Sequence, residues 1–139
     1  NGCVIEDGVL IKYFTDDKEI TIPDNVEELG SGCIVSNLER IDKITISENI
    51  KKIGISAFNE TPVKCIVMEE GVEEIGEYAF TDSYFDEIYI PASVKYIGGN
   101  AFVSSEGNPE GKIYVKKGSY ADEYFETHNK YSGEVIVLE

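Results

Sequence analysis

Residues 66–80 read IVMEEGVEEIGEYAF, and this stretch contains the pattern that decides the fold. Segments of the same form occupy residues 20–34 (ITIPDNVEELGSGCI), 44–58 (ITISENIKKIGISAF) and 88–102 (IYIPASVKYIGGNAF), and a degenerate fifth begins with IYV at residue 113. Successive starts are 24, 22, 22 and 25 residues apart, which is the period of a short solenoid coil. The repeats therefore predict a stack of similar coils that share one elongated core.

Each position of the pattern has a structural interpretation. Two apolar residues separated by one position, such as Ile44 and Ile46, predict a short strand with one buried face. A turn position follows, filled by Asn25, Asn49, Gly71 and Ser93, which suit tight or left-handed backbone. Two inward columns come next: Val26, Ile50, Val72 and Val94, then Leu29, Ile53, Ile75 and Ile97. These positions predict that every coil contributes several side chains to the core.

A glycine and a large apolar residue complete each copy. The glycines at positions 30, 54, 76 and 98 predict either a bend with positive φ or a backbone pressed against the next coil. Phe58, Phe80 and Phe102 end three of the copies and predict an aromatic spine with offset or edge-to-face rings.

The two ends of the chain depart from the pattern, as terminal caps of a solenoid do. Residues around Asp7 and Gly8 predict a β-hairpin. Ser119, followed three residues later by Asp122, predicts the start of a short amphipathic helix, and residues 135–138 predict a final strand. We therefore expect one domain over residues 1–139, with a cap at 1–19, four repeats at 20–112, and a degenerate repeat and cap at 113–139.

Charge and hydropathy exclude several classes of partner. The chain has 27 acidic and 12 basic residues, a net charge of −15, so it lacks the basic surface that nucleic acids and anionic lipids require. No run of about 18 apolar residues predicts membrane insertion. The acidic surface favours a soluble monomer.

Catalytic and metal-binding motifs are not evident in the sequence. The single histidine, His128, lies in the expected C-terminal cap, and no nucleophile elbow, phosphate loop or zinc motif occurs. We interpret residues 81–83 and Asp86 as a solvated acidic loop rather than an ion site. The expectation is a protein that is not an enzyme and has no cofactor and no bound metal.

Three cysteines do not form a C-x-x-C pair, and the sequence leaves open one disulfide with one free thiol. Cys33 occupies a small inward position where other copies have alanine, so we expect it to be buried and not to form a disulfide. Cys65 precedes a strand and is expected to point outward, and Cys3 lies in the hairpin.

Two sets of repeat positions are expected to face outward, one charged and one in the strands. Positions 27–28, 51–52, 73–74 and 95–96 are Glu-Glu, Lys-Lys, Glu-Glu and Lys-Tyr, which predicts opposite charges on adjacent coils. The residues between the paired strand positions are Thr21, Thr45, Val67, Tyr89 and Tyr114. Tyrosine is common at binding surfaces, so Val67, Tyr84, Tyr89 and Tyr114 form a candidate ligand face. The alternative is that these residues simply suit exposed strands.

The recurring I-x-I-P-x-x-V-x-x-I-G-x-x-A-F resembles the BspA-like class of leucine-rich repeats over about residues 9–126. The resemblance implies an α/β repeat solenoid, predominantly β: a right-handed stack of short parallel strands with a hairpin cap and a helix cap. It also implies a bacterial surface or secreted protein with a role in adhesion, and it offers no catalytic residues. No signal peptide is recognisable, and Asn1 suggests a processed or excised piece.

The sequence is consistent with three functions. The first is an interaction module that binds an unknown extracellular protein or glycan through the exposed face of the sheet. The second is a rigid spacer that displays other domains of a larger surface protein. The third is an accessory domain attached to a hydrolase.

Overall fold

The computed structural model describes residues 2–103, 111–128 and 131–139. It is a predominantly β solenoid of about six turns with one short helix near the C-terminal end. The strands are β1 (Gly2–Glu6), β2 (Val9–Phe14), β3 (Glu19–Thr21), β4 (Glu28–Leu29), β5 (Ile34–Val35), β6 (Ile41–Ile46), β7 (Lys52–Ile53), β8 (Val63–Met68), β9 (Glu74–Ile75), β10 (Glu87–Tyr89), β11 (Tyr96–Ile97), β12 (Lys112–Lys116) and β13 (Glu134–Leu138), and the helix is α1 (Tyr120–His128).

The ladder sheet consists of six parallel strands in the order β3, β6, β8, β10, β12 and β13. The predicted repeat starts align in its register, since Ile20, Ile44, Ile66, Ile88 and Ile113 are successive partners. The final strand adds a sixth rung, in which Val135 pairs with Ile113. The periodicity of the sequence therefore predicted the ladder correctly, and the structure extends it by one coil.

A second sheet, not predicted from the sequence, lies on the other side of the coils. It contains β1, β2, β4, β7, β9 and β11 in that order, with β5 also paired to β2. Strands β4, β7, β9 and β11 have only two residues each, and their second residues are the buried inward column Leu29, Ile53, Ile75 and Ile97. A two-residue strand shows no alternation, so only its inward residue was recognisable.

Both predicted caps are present. Strands β1 and β2 pair antiparallel, and the turn between them has positive φ at Asp7 (50°) and Gly8 (79°). Helix α1 begins after Ser119, whose Oγ accepts a hydrogen bond from the Asp122 amide. The Asp122 carboxylate accepts one from the Gly118 amide in return. This reciprocal arrangement resembles a capping box and anchors the start of the helix.

The phenylalanine spine forms as predicted and runs through the core. The ring centroids of Phe58 and Phe80 are 5.3 Å apart at an interplanar angle of 8°, and those of Phe80 and Phe102 are 5.3 Å apart at 10°. This spacing corresponds to offset stacking. At the C-terminal end, Phe102 meets Phe125 of α1 at 5.5 Å, so the helix closes the spine.

The repeated glycines had two possible explanations, a bend with positive φ or close contact with the neighbouring coil. None of the four has a positive φ. A Cβ atom on Gly54 would lie 2.4 Å from the Leu29 carbonyl oxygen, and one on Gly98 would lie 2.5 Å from the Glu77 amide nitrogen. Close contact between coils is therefore the reason for glycine at these positions.

Left-handed backbone occurs elsewhere in the coil. The turn column lies in tight turns, which was one of the predicted alternatives, and of its members only Gly71 has a positive φ. The regular left-handed position instead comes two residues after each close-packed glycine, at Gly32, Ser56, Tyr78 and Asn100. Ser56 and Tyr78 carry no sequence signal for this conformation, because such residues rarely adopt it.

Opposite charges meet between coils, as the outward columns predicted. The Lys52 Nζ lies 3.9 Å from a Glu28 carboxylate oxygen and 4.0 Å from one of Glu74. One coil further, Lys95 lies 3.7 Å from Glu73. These side chains are largely exposed, so each pair contributes at most about 1 kcal/mol.

The loop at residues 81–83 is not the solvated loop that we expected. Ser83 is fully buried and donates a hydrogen bond to the Phe80 carbonyl oxygen, and Thr81 donates one to the Asn100 carbonyl oxygen. Asp86 accepts a hydrogen bond from Arg40 Nη2 at 2.7 Å. The two hydroxyls point inward, where they donate hydrogen bonds to backbone carbonyl oxygens beside the phenylalanine spine, because buried carbonyl groups need such partners.

The three cysteines are free thiols in different environments. Cys33 is fully buried, as predicted, and burial raises the pKa of its thiol to about 12. Cys65 is half-buried, and its pKa is raised by burial and by the nearby Glu87 carboxylate. Cys3 is exposed on β1.

Alkylation at pH 8 should therefore follow the order Cys3, then Cys65, then Cys33, since the thiolate is the reactive form. We expect iodoacetamide to label Cys3 fully in the folded protein and to leave Cys33 unlabelled until urea is added. Mass spectrometry of tryptic peptides measures the three rates. Labelling of Cys33 as fast as Cys3 without denaturant would contradict its burial in the core.

Candidate functional site

The outward column of the ladder sheet contains most of the predicted ligand face. Its members are register partners on neighbouring strands, in the order Thr21, Thr45, Val67, Tyr89, Tyr114 and Ile136. Side chains at equivalent positions of parallel neighbours lie side by side, so the column forms a continuous strip on the sheet. Polar threonines occupy its first two rungs and larger side chains occupy the remaining four.

Tyr89 and Tyr114 form a stacked pair in this strip. Their ring centroids are 4.4 Å apart and their planes differ by 7°. This distance is close to the spacing of neighbouring strands, so both rings stand on the sheet in parallel. The Tyr89 hydroxyl donates a hydrogen bond of 3.1 Å to Glu87 Oε2. Burial and this carboxylate raise the pKa of Tyr89 to about 12.

A cleft of about 330 Å³ adjoins the tyrosine pair at the C-terminal ends of the strands. Besides the two tyrosines, the residues that line it are Met68, Glu69, Glu70, Ile90, Pro91, Lys116 and Leu138. Pro91 lies two residues beyond Tyr89, and the equivalent positions of the flanking coils hold the long side chains of Glu69 and Lys116. The short proline between two long side chains leaves a depression, which we call the proline cleft.

Glu70 ties three coils together at the edge of the proline cleft. Its carboxylate accepts hydrogen bonds from the backbone amides of Ala92 (3.2 Å) and Ser93 (3.0 Å) and from Lys116 Nζ (2.8 Å). The lysine, first, and the two amides lower the pKa of Glu70 below its usual value. The cleft therefore has one wall that is held in place by charge-assisted hydrogen bonds.

Three of the four residues of the predicted ligand face lie together on the sheet, and the fourth lies elsewhere. Val67, Tyr89 and Tyr114 are consecutive in the outward column. Tyr84 does not line the proline cleft: it precedes β10, at the opposite end of the strand, and its carbonyl oxygen accepts a hydrogen bond from Arg40. Its exposure and positive φ of 50° place it in the turn rather than on the sheet.

Sequence reasoning missed the charged part of the cleft. Glu70 and Lys116 are 46 residues apart and meet only because their coils are stacked with a single coil between them. The sequence does contain Pro91, but the space that this short residue leaves between its neighbours depends on how the coils are stacked. Leu138 joins the lining because β13 adds a sixth rung, and the sequence did not reveal the register of that strand.

Two other kinds of site, a metal centre and a membrane-spanning helix, are not formed by the residues of the described ranges. Among residues 2–103, 111–128 and 131–139, no three His, Cys, Asp or Glu side chains lie close enough together to hold a metal ion. No helix in these ranges is long and apolar enough to cross a membrane. His128 stacks on Tyr124 with ring centroids 4.3 Å apart, and its Nδ1 lies 3.0 Å from the Tyr124 carbonyl oxygen. This histidine therefore packs on its own helix.

Comparison with solved structures finds a similar fold in the crystal structure of the pneumococcal vaccine antigen PcpA. The TM-score is 0.57 and the sequence identity is 24%. The match covers 81% of this chain and 39% of the PcpA chain, so the chain spans well under half the length of that protein. At this identity the similarity concerns the fold alone.

The family of the chain is shown by comparison of its sequence with family models. No curated protein matches the chain significantly. A family model described as a BspA type leucine rich repeat region, in 6 copies, matches residues 12–108. This range covers more than half of the chain and contains all four copies of the repeat that the sequence displays. The chain therefore belongs to the BspA-type leucine-rich repeat family.

Proposed function

We propose that this chain is a non-catalytic interaction module that acts at the cell surface or outside the cell. Its ligand face is formed by Val67, Tyr89 and Tyr114 together with the adjoining proline cleft, and its partner is an extracellular protein or a glycan. The observation that carries the proposal is the half-buried tyrosine pair beside a cleft of about 330 Å³. Family membership supports the surface location and the absence of catalysis.

The chemistry of the face suits recognition. Two parallel tyrosine rings offer a large, rigid, amphipathic contact area at low cost in side-chain entropy. The cleft is within the range of volumes of small-ligand sites and combines apolar residues with a few polar groups. Such a cleft can accept one side chain of a protein or one unit of a glycan.

A rigid spacer is the second candidate, and one observation favours it. The Glu70 carboxylate connects its own coil to the next two coils through hydrogen bonds of 2.8–3.2 Å. Ties of this kind stiffen a solenoid whether or not it binds anything. The spacer and the interaction module differ in one measurable respect, which is the presence of a ligand for the tyrosine face.

The test is a binding screen with a double variant. Wild type and Tyr89→Ala/Tyr114→Ala are immobilised and compared against host matrix proteins and a glycan array. If the tyrosine face is the binding site, the double variant loses at least about tenfold in affinity, since buried aromatic contacts dominate interface energies. Circular dichroism verifies that the variant remains folded.

The matched control is Tyr96→Ala/Tyr120→Ala, which removes two other exposed tyrosines. Tyr96 lies in β11 of the second sheet and Tyr120 begins α1, so neither contributes to the ladder sheet. The control should bind like wild type. A ligand that binds wild type and the Tyr89/Tyr114 variant equally well would refute the proposed face, and a screen without any ligand would favour the spacer.

A further inference from the structure

Charge restricts the ligands that the proline cleft can accept. Three charged side chains line it, and two of them, Glu70 and Lys116, neutralise each other across 2.8 Å. Glu70 also accepts two backbone hydrogen bonds. The third, Glu69, is exposed and forms no ion pair within the described part of the chain. The cleft therefore presents one uncompensated carboxylate next to aromatic rings.

The tyrosine pair adds to the preference for a cation. The face of an aromatic ring is electronegative and attracts an ammonium or guanidinium group. Tyr89 also carries an acidic neighbour, because its hydroxyl is hydrogen-bonded to the Glu87 carboxylate. Carboxylates thus lie near both the hydroxyl end of Tyr89 and the cleft beside its ring. Among the residues that the structure describes, Lys116, which is paired with Glu70, is the one lysine in the lining of the cleft.

The electrostatic field of the whole molecule also favours a cationic ligand. With 27 acidic and 12 basic residues, the chain has a net charge of −15. A field of this sign attracts basic ligands and repels anionic ones, and it is strongest at low ionic strength. An acidic glycan would meet repulsion at this surface, and a neutral sugar would leave the Glu69 carboxylate without a partner.

We propose that the proline cleft receives an arginine side chain from a basic, extended segment of a protein partner. The guanidinium lies between the Glu69 carboxylate and the face of the Tyr89 ring that Tyr114 does not cover. Arginine fits better than lysine because its planar, weakly hydrated group can stack on a ring and pair with a carboxylate at the same time. This inference rests on the proposed function and specifies the ligand of the same face.

The probe is the blocked peptide acetyl-Gly-Ser-Arg-Ser-Gly-amide, compared with the same peptide containing citrulline. Citrulline has the shape of arginine without its charge. Both are titrated into the intact, isotopically labelled chain at low salt, and resonances of Tyr89, Tyr114 and Glu69 are followed by NMR. We expect the arginine peptide to bind at least about fivefold more tightly, as cation–π and ion-pair contacts of this kind imply.

Glu69→Gln tests the carboxylate, and Glu77→Gln is its matched control. Glu77 is an equally exposed acid next to the close-packed Gly76, and its substitution changes the net charge by the same amount. We expect Glu69→Gln to weaken the arginine peptide about threefold and to leave the citrulline peptide unchanged. Equal affinity of the two peptides, or equal loss in the two variants, would overturn the proposal.

The outcome is separable from that of the proposed function. A matrix protein or glycan that depends on Tyr89 and Tyr114 but not on Glu69 would keep the tyrosine face and overturn the arginine assignment. Binding of the arginine peptide that shifts Glu69 but is unaffected by Tyr89→Ala/Tyr114→Ala would overturn the arginine assignment, because the rings would then make no contact with the peptide, and would leave the proposed function to its own screen.

Discussion

Replacing Phe80 with alanine is expected to lower the free energy of unfolding by about 4 kcal/mol. The Phe80 ring is 2% exposed and is stacked on both sides, on Phe58 and on Phe102, at centroid distances of 5.3 Å. Its removal leaves a cavity in the middle of the spine and ends two ring contacts at once. Each such contact is worth about 0.5–1.5 kcal/mol beyond the area it buries.

Urea denaturation monitored by far-UV circular dichroism measures this loss. The control is Ile55→Ala, which removes an apolar side chain that is 60% exposed, and it should change stability by less than about 0.5 kcal/mol. A loss below about 1 kcal/mol for Phe80→Ala would mean that the rings are not packed against each other in the folded chain.

The second large effect concerns two adjacent glycines. Gly98→Ala is expected to destabilise the chain by about 3 kcal/mol, at the upper end of the range for overpacking. The added Cβ would lie 2.5 Å from the Glu77 amide nitrogen and 2.8 Å from the Gly76 carbonyl carbon. Both atoms belong to the backbone of the neighbouring coil, so the coils would have to separate.

Gly99→Ala provides the control one residue away. No atom of the described residues lies within 4 Å of the Cβ that this change would add, and Gly99 does not have a positive φ. The substitution should be neutral or stabilising by up to about 1 kcal/mol, because alanine restricts the unfolded chain more than glycine does. Thermal unfolding of both variants decides the matter: equal stability of Gly98→Ala and Gly99→Ala would contradict the close contact between coils.

These stability effects are separable from binding. Phe80 and Gly98 face the interior or the second sheet, whereas the tyrosine face and the proline cleft lie on the ladder sheet and at its C-terminal edge. Variants of Tyr89, Tyr114 and Glu69 change exposed or half-exposed side chains. A loss of binding in them can therefore be attributed to the ligand face once circular dichroism shows the fold to be retained.

The sequence by itself determined the stack of coils. Four copies of one pattern specify which residues point inward, because strand alternation and turn chemistry are local properties of each copy. The ladder register of Ile44, Ile66 and Ile88, the phenylalanine spine, and the two caps followed from these copies and were confirmed. The burial of Cys33 followed in the same way, by comparison with Ala57 and Ala79.

Only the tertiary structure decided the details that arise between coils. The contact of Glu70 with Lys116 across 46 residues depends on how the intervening coil is stacked, which no local pattern specifies. The same holds for the depression above Pro91, which is defined by the length of its neighbours' side chains, and for the separation of Tyr84 from Tyr89. The repeated glycines illustrate this difference: the sequence shows that glycine recurs, and the structure supplies the reason, because a Cβ atom there would lie only 2.4–2.8 Å from the backbone of the neighbouring coil.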